Sequence, residues 1–437
     1  MTEPKAKQKL GLWTTTSLVV GNMIGAGVFL MPAAMASFGS VGLLGWVLSG
    51  IGSFFLAKVF ANLSKLLPHA TGGPYAYTHS GFGDFAGFLV AWGYFTSNAC
   101  ALAATVIAFV SALSTFFPVL GVSTTAAVIT GLAALWLLTY INTLGVAAGG
   151  KMQLITTILK LVPLVLIAVG GLFFIKLKYF LPFNASGFSL ISAISTTAAM
   201  TMFSYTGMEC ATVPAGDVSN PEKTISRATM LGLFIAAIVY ILGSASVMGL
   251  IPAKVLEHSA TPYADAAAII YGNNARYIVS AGVAIAAFGA INGWTLMQGQ
   301  IPFATAKHKL LPAAFGKLNK KGAPYVGMIV NSVLVTIFIG MNFTKGLVDQ
   351  FKALLLISVL TILVPYIFSV AAYPIIRFRK KVTTGWAAAI TLFVLAFCYT
   401  LWMIAGSGED AVFYGFLMLM LGLPLYVWMD YKKEKEA

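Results

Sequence analysis

Two ionisable side chains sit inside stretches otherwise apolar enough to lie in a lipid bilayer. One is Lys160, in Leu159-Lys160-Leu161-Val162-Pro163-Leu164, and the other is Glu209, which ends Phe203-Ser204-Tyr205-Thr206-Gly207-Met208-Glu209. A lysine near the centre of a membrane helix costs about 2.5–3.5 kcal/mol, so it should face a polar interior. Desolvation works against the ammonium, which makes Lys160 a candidate to titrate during a transport cycle. The alternative is a lysine that reaches back to the membrane surface. A buried carboxylate needs a partner or a proton, so Glu209 reads as a proton-sensing or gate-linking group, or equally as a structural hydrogen bond to backbone or Tyr366.

The residues around these charges break the apolar pattern. Gly21-Asn22-Met23-Ile24-Gly25-Ala26-Gly27 and the stretch from Phe203 to Glu209 put flexible or polar residues at membrane depth. Lipid offers the backbone no hydrogen bonds, so irregular chain survives there only where it lines a cavity or is buried in protein. An interrupted helix exposes N–H groups at a positive dipole end and carbonyls at a negative one. An amino acid zwitterion matches both. Its carboxylate can accept from N–H groups around Gly25, Ala26 and Gly27, and its ammonium can donate to carbonyls near Met23, Ile24, Phe203 and Thr206. The competing reading is that the glycines only let helices pack closely.

Composition places these breaks in a polytopic membrane protein. Hydrophobic residues make up 59% of the 437, charged residues 9%, and the mean hydropathy is +0.88. The net charge of +14 comes from short basic clusters between apolar runs, which are topology signals rather than a nucleic-acid surface. Cys100, Cys210 and Cys398 lie in apolar segments with no metal-like spacing, and no cofactor or metal is expected. Windows of about 20 apolar residues predict an all-α protein with twelve transmembrane helices. Their limits are 11–37, 41–65, 84–115, 123–143, 151–175, 188–211, 226–251, 275–305, 324–342, 350–376, 384–405 and 411–430. The Lys/Arg bias puts both termini on the cytoplasmic side.

The breaks fall in segments 1 and 6, five apart. Five is odd, so the second copy enters the membrane from the opposite side. The chain then reads as one transporter domain, 1–437, built as a five-plus-five inverted repeat. Repeat 1 covers about 11–175, repeat 2 about 188–376, and peripheral helices cover about 384–430.

Gly21-Asn22-Met23-Ile24-Gly25-Ala26-Gly27-Val28-Phe29 and Gly72-Gly73-Pro74-Tyr75-Ala76-Tyr77 resemble the amino acid–polyamine–organocation (APC) superfamily. Gly207-Met208-Glu209, Gly293-Trp294-Thr295-Leu296 and Leu363-Val364-Pro365-Tyr366 extend the likeness, which runs from about residue 9 to 430 and leans towards bacterial arginine/agmatine antiporters. The resemblance implies the LeuT-type fold with discontinuous helices 1 and 6. It also implies that Lys160 takes the place of a sodium ion between segments 1, 5 and 8, as in sodium-independent members; the arginine/agmatine antiporters lack this lysine. Glu209 matches a glutamate of acid-resistance antiporters. Phe203 and Trp294 match aromatic gates, Phe203 standing where those antiporters carry tryptophan, and Tyr94 and Tyr366 are further gate candidates.

In segment 3, Asn98, Leu102 and Thr105 replace the cysteine, asparagine and methionine of the arginine-selective pattern. Leu102 removes a polar partner for a guanidinium, and a charged Lys160 would oppose a cationic substrate. Ser97 and Ser358 remain as hydroxyl contacts. The resulting expectation is a sodium-independent amino acid transporter of the inner or plasma membrane. It would work by alternating access, as a proton-coupled symporter or an exchanger, for neutral amino acids. The alternative is an arginine/agmatine or other basic amino acid/polyamine antiporter. Expected partners are a small-molecule amino acid, protons and the lipid bilayer, with a homodimer left open. An ion channel would need charge rings or carbonyl filter repeats, and an enzyme a cluster of titratable groups; neither pattern is present.

Overall fold

The computed structural model describes residues 10–436 apart from 26, 69, 71, 145–148, 214, 216, 217 and 342–345. Ala26, expected at the site, lies outside the described residues. Among those described, the chain is helical without strands; Leu10 and Val218 form a single isolated bridge.

The first apolar segment holds two helices, α1 (Leu12–Met23) and α2 (Gly27–Ala36). Next come α3 (Val41–Leu66), α4 (Pro74–Phe82), α5 (Asp84–Leu113), α6 (Thr124–Thr143) and α7 (Gly149–Gly171). The second broken segment begins with α8 (Leu190–Tyr205) and continues as one 3-10 turn at Cys210–Thr212. It is followed by α9 (Pro221–Leu250), α10 (Pro262–Tyr271), α11 (Asn273–Lys307), α12 (Tyr325–Met341) and α13 (Leu347–Arg379). The chain closes with α14 (Trp386–Gly406), α15 (Glu409–Met420) and α16 (Leu423–Glu436). Local chemistry sets several starts. Proline opens α4, α9 and α10, where its missing N–H costs nothing. The Ser123 and Ser189 hydroxyls cap α6 and α8.

Each of the twelve expected segments holds a helix, but by length and composition nine stretches among the described residues can cross a membrane, two of which, Leu12–Ala36 and Glu409–Lys435, each join two consecutive helices. Segment 9 is α12, only 17 residues long, and segment 5 is α7, whose described part runs into the apolar stretch Leu159–Phe174. Segment 6 stops at Tyr205 because Gly207 turns the chain with φ +98.

One end of the bundle gathers both ends of the described chain. Ser219 N–H donates to the Leu10 carbonyl, Arg379 to Ser80, and Lys433 pairs with Asp84 at 2.6 Å. Small residues let the helices approach. A Cβ on Gly52 of α3 would lie 2.0–2.4 Å from the Tyr399 ring of α14. That ring cannot swing freely, since its hydroxyl lies 3.2 Å from the Ser49 carbonyl and 3.0 Å from the Met202 sulfur. Gly52→Ala is therefore expected to destabilise the fold by about 1–3 kcal/mol through overpacking. A clear drop in the thermal unfolding midpoint of the detergent-purified protein would show it, and an unchanged midpoint would refute it.

Candidate functional site

The two breaks meet. A Cβ on Gly207 would lie 3.2 Å from the Asn22 carbonyl carbon and 3.3 Å from the Met23 nitrogen, so the chains touch backbone to backbone. Beside this junction lies a small cavity between α1/α2, α5, α8 and α11. Asn22, Met23, Gly25, Gly27 and Val28 line it from the first break, and Phe203, Ser204 and Thr206 from the second. Ala101, Thr105 and Trp294 complete the wall.

The break in the first segment leaves a specific debt. In an unbroken helix the Gly21 carbonyl would accept from the Gly25 N–H. Here Gly25 N–H turns to the Met23 carbonyl at 2.8 Å, and Lys160 Nζ donates to Gly21 at 3.0 Å instead. Lys160 is 1% exposed, and its ammonium sits at the negative end of α1. Its helix, α7, packs against α1 and α11. Lys160 does not line the cavity; it closes the break from behind.

Glu209 is also 1% exposed, and three donors hold it. Tyr94 on α5 donates to Oε1 at 2.7 Å, Tyr366 on α13 donates to Oε2 at 2.6 Å, and the Gly207 N–H reaches Oε2 at 3.1 Å. One carboxylate thus ties two long helices to the second break, and the two tyrosines are engaged there rather than in the cavity wall. Phe60 packs edge-on to Tyr366 beyond them, with ring centroids 5.2 Å apart.

Phe203 and Trp294 do line the cavity. Phe203 meets Phe351 of α13 edge-on, at 6.0 Å and 90°, and both rings press on Gly27. A Cβ there would lie 2.6 Å from Phe203 and 3.2 Å from Phe351. This pair packs against the start of α2 at the first break. Phe351 was missed in the sequence, although it precedes Ser358 by seven residues and so shares its helix face.

Several expected contacts are made within the protein instead. Ser97 and Ser358 bond each other's carbonyls at 2.8 and 3.0 Å, joining α5 to α13 outside the cavity wall. Leu102 and Ile24 are fully buried in the core and do not line it. Asn98 is buried with its amide nitrogen unpartnered, three residues before Ala101 on the same face of α5. The Phe203 carbonyl, expected to take a substrate ammonium, already accepts the Thr206 hydroxyl at 2.6 Å. Met23, Gly25, Gly27, Phe203, Thr206 and Trp294, all named from the sequence, line the cavity. Ala101, Val28, Asn22 and Ser204 were not singled out. The described residues hold no cluster of three or more His, Cys, Asp or Glu placed to bind a metal.

Known proteins resemble this chain over nearly its whole length. The sequence pattern of the amino acid permease family matches residues 10–424. A cadaverine/lysine antiporter of Escherichia coli K12 is 34% identical over 414 residues, covering 92% of this chain and 91% of its own. An arginine/agmatine antiporter of Chlamydia trachomatis is 30% identical over 444 residues, 98% and 91% of the two chains. A putrescine transporter of Haemophilus influenzae is 28% identical over 426 residues, 97% and 98%. With its apolar helices and this family pattern over nearly the whole chain, the protein is a multi-pass membrane transporter. It belongs to the amino acid permease family of the APC superfamily and resembles the basic amino acid/polyamine antiporters within it.

Proposed function

We propose that the protein is a sodium-independent antiporter that exchanges a basic amino acid for a related amine or diamine by alternating access. The observation that carries this reading is the cavity at the two helix breaks. It offers aromatic faces from Phe203 and Trp294, and among the described residues no acidic or basic side chain lines it. Aromatic faces attract organic cations. The named relatives are exchangers of lysine for cadaverine and of arginine for agmatine, and a putrescine transporter.

The expectation of a neutral amino acid substrate gives way for two physical reasons. It rested on Leu102 facing the substrate, and Leu102 is in the core. It also rested on Lys160 sharing the cavity, and that ammonium is spent on the Gly21 carbonyl behind the break.

In this reading the substrate carboxylate, when present, lies at the N-terminus of α2, and an ammonium lies near the carboxyl ends of α1 and α8. Phe203 with Phe351 closes one side, and Glu209 with Tyr94 and Tyr366 closes the other as a proton-responsive link. The helices follow a LeuT-type inverted repeat in the cytoplasmic membrane. Both termini face the cytoplasm, where Lys317, Lys320, Lys321, Arg377, Arg379, Lys380, Lys381, Lys432, Lys433 and Lys435 gather.

Proteoliposomes preloaded with lysine, arginine, ornithine, cadaverine, agmatine or putrescine test the proposal. Uptake of labelled basic amino acid should accelerate with the matching internal amine and ignore sodium. Acceleration by neutral amino acids alone, or a sodium requirement, would overturn it. Trp294→Ala should raise the apparent KM for cationic substrates about tenfold, the loss of one desolvated cation–π contact. An unchanged KM would remove Trp294 from the site.

A further inference from the structure

Serines and threonines in membrane helices usually give their hydroxyl proton back to a carbonyl one turn earlier. In α8, Thr197 does so to Ala193 and Thr201 to Thr197, and in the cavity wall Thr105 does so to Ala101. Thr206 likewise spends its hydroxyl on Phe203. Ser204 breaks the habit. It is 3% exposed and lines the cavity, yet its hydroxyl has no partner within the protein. Its backbone carbonyl is separately occupied by the Tyr240 hydroxyl at 3.1 Å, which holds this turn of α8 in place. A buried hydroxyl left unpaired costs about 1–3 kcal/mol, so such groups call for a ligand.

Its position says what kind of ligand. Ser204 is the second-last residue of α8, and α1 ends against the same junction at Met23, so two negative helix ends converge there. The positive end is that of α2, which starts at Gly27 on the other side of the break. An ammonium is the complementary group for Ser204, with the hydroxyl oxygen accepting.

We infer that Ser204 is a substrate-binding residue whose hydroxyl accepts from the primary ammonium shared by a basic amino acid and its decarboxylated amine. The inference rests on the exchange proposed above. Decarboxylation removes the carboxylate and keeps the amines. A contact to ammonium therefore serves both exchange partners, whereas the N-terminus of α2 serves only the amino acid. One cavity can then hold both in turn without a second set of side chains.

The experiment uses the full chain in proteoliposomes and whichever amino acid and amine pair the wild-type protein exchanges. Ser204→Ala should raise KM about tenfold for both members of the pair, with kcat little changed, the size expected for one hydrogen bond to a charged group. Ser204→Thr, which keeps the hydroxyl, should retain KM within about threefold. Equilibrium binding of the labelled amine to detergent-purified Ser204→Ala, checked for a monodisperse elution profile, should weaken by the same factor. An unchanged KM in Ser204→Ala overturns the inference, as does a rise for the amino acid alone. A wild-type protein that exchanges no amine overturns the functional reading instead, so the two failures are distinguishable.

Discussion

Gly207→Ala is expected to abolish exchange while leaving a protein that inserts and elutes as a single species. Gly207 has φ +98, a region closed to side chains with a Cβ. Forcing an alanine into positive φ costs about 1–2 kcal/mol by itself. The new methyl would also lie 3.2–3.3 Å from backbone atoms of Asn22 and Met23, which cannot rotate away as a side chain could. Relief requires the two breaks to part, and that shifts the cavity wall on both sides. The Gly207 N–H would move off Glu209 Oε2 as well, loosening the tie to Tyr94 and Tyr366. Initial exchange rates in proteoliposomes, normalised to reconstituted protein, measure the effect. A rate within twofold of wild type would mean that the junction of the breaks has no part in transport.

Lys160→Met should lower the exchange rate at least tenfold, the second large effect. Methionine matches the length of the lysine stem and avoids a buried charge, so the fold should tolerate it. The Gly21 carbonyl would then be left without its donor, at a cost of about 1–3 kcal/mol, and the end of α1 would lose its compensating cation. The chain around Gly25 is then free to settle differently, at the point where the substrate is expected to bind. Lys160→Arg should not rescue, because a planar guanidinium needs more room and more acceptors than one buried carbonyl provides. In the proposed reading Lys160 holds the place of a coupling cation, so wild-type exchange should be unaltered when sodium is replaced by choline. Wild-type rates in Lys160→Met, or a sodium requirement in the native protein, would each rule out this role.

Both effects concern features written plainly in the chain. Lipid supplies no hydrogen bonds, so Gly21–Gly27 and Phe203–Glu209 had to be broken backbone lining or sealing something. Lys160 and Glu209 had to find partners for the same reason, and both did: Gly21 for one, Tyr94, Tyr366 and Gly207 for the other. Helix positions were equally legible, from length and hydropathy.

What the chain left undetermined was rotation. A helix apolar on every side carries no phase in its hydrophobic pattern, so nothing in α5 marks which face looks inward. Leu102 was therefore assigned to the cavity beside Thr105, while Ala101 is the residue that joins Thr105 in reaching it. The same ambiguity hid the pairing of Ser97 with Ser358 and the packing of Phe351 on Phe203, contacts between residues far apart in sequence. The breaks and the buried charges follow from the local cost of unpaired polar groups in lipid. Which side chains surround the cavity follows from how whole helices turn against one another, and only the assembled bundle decides that.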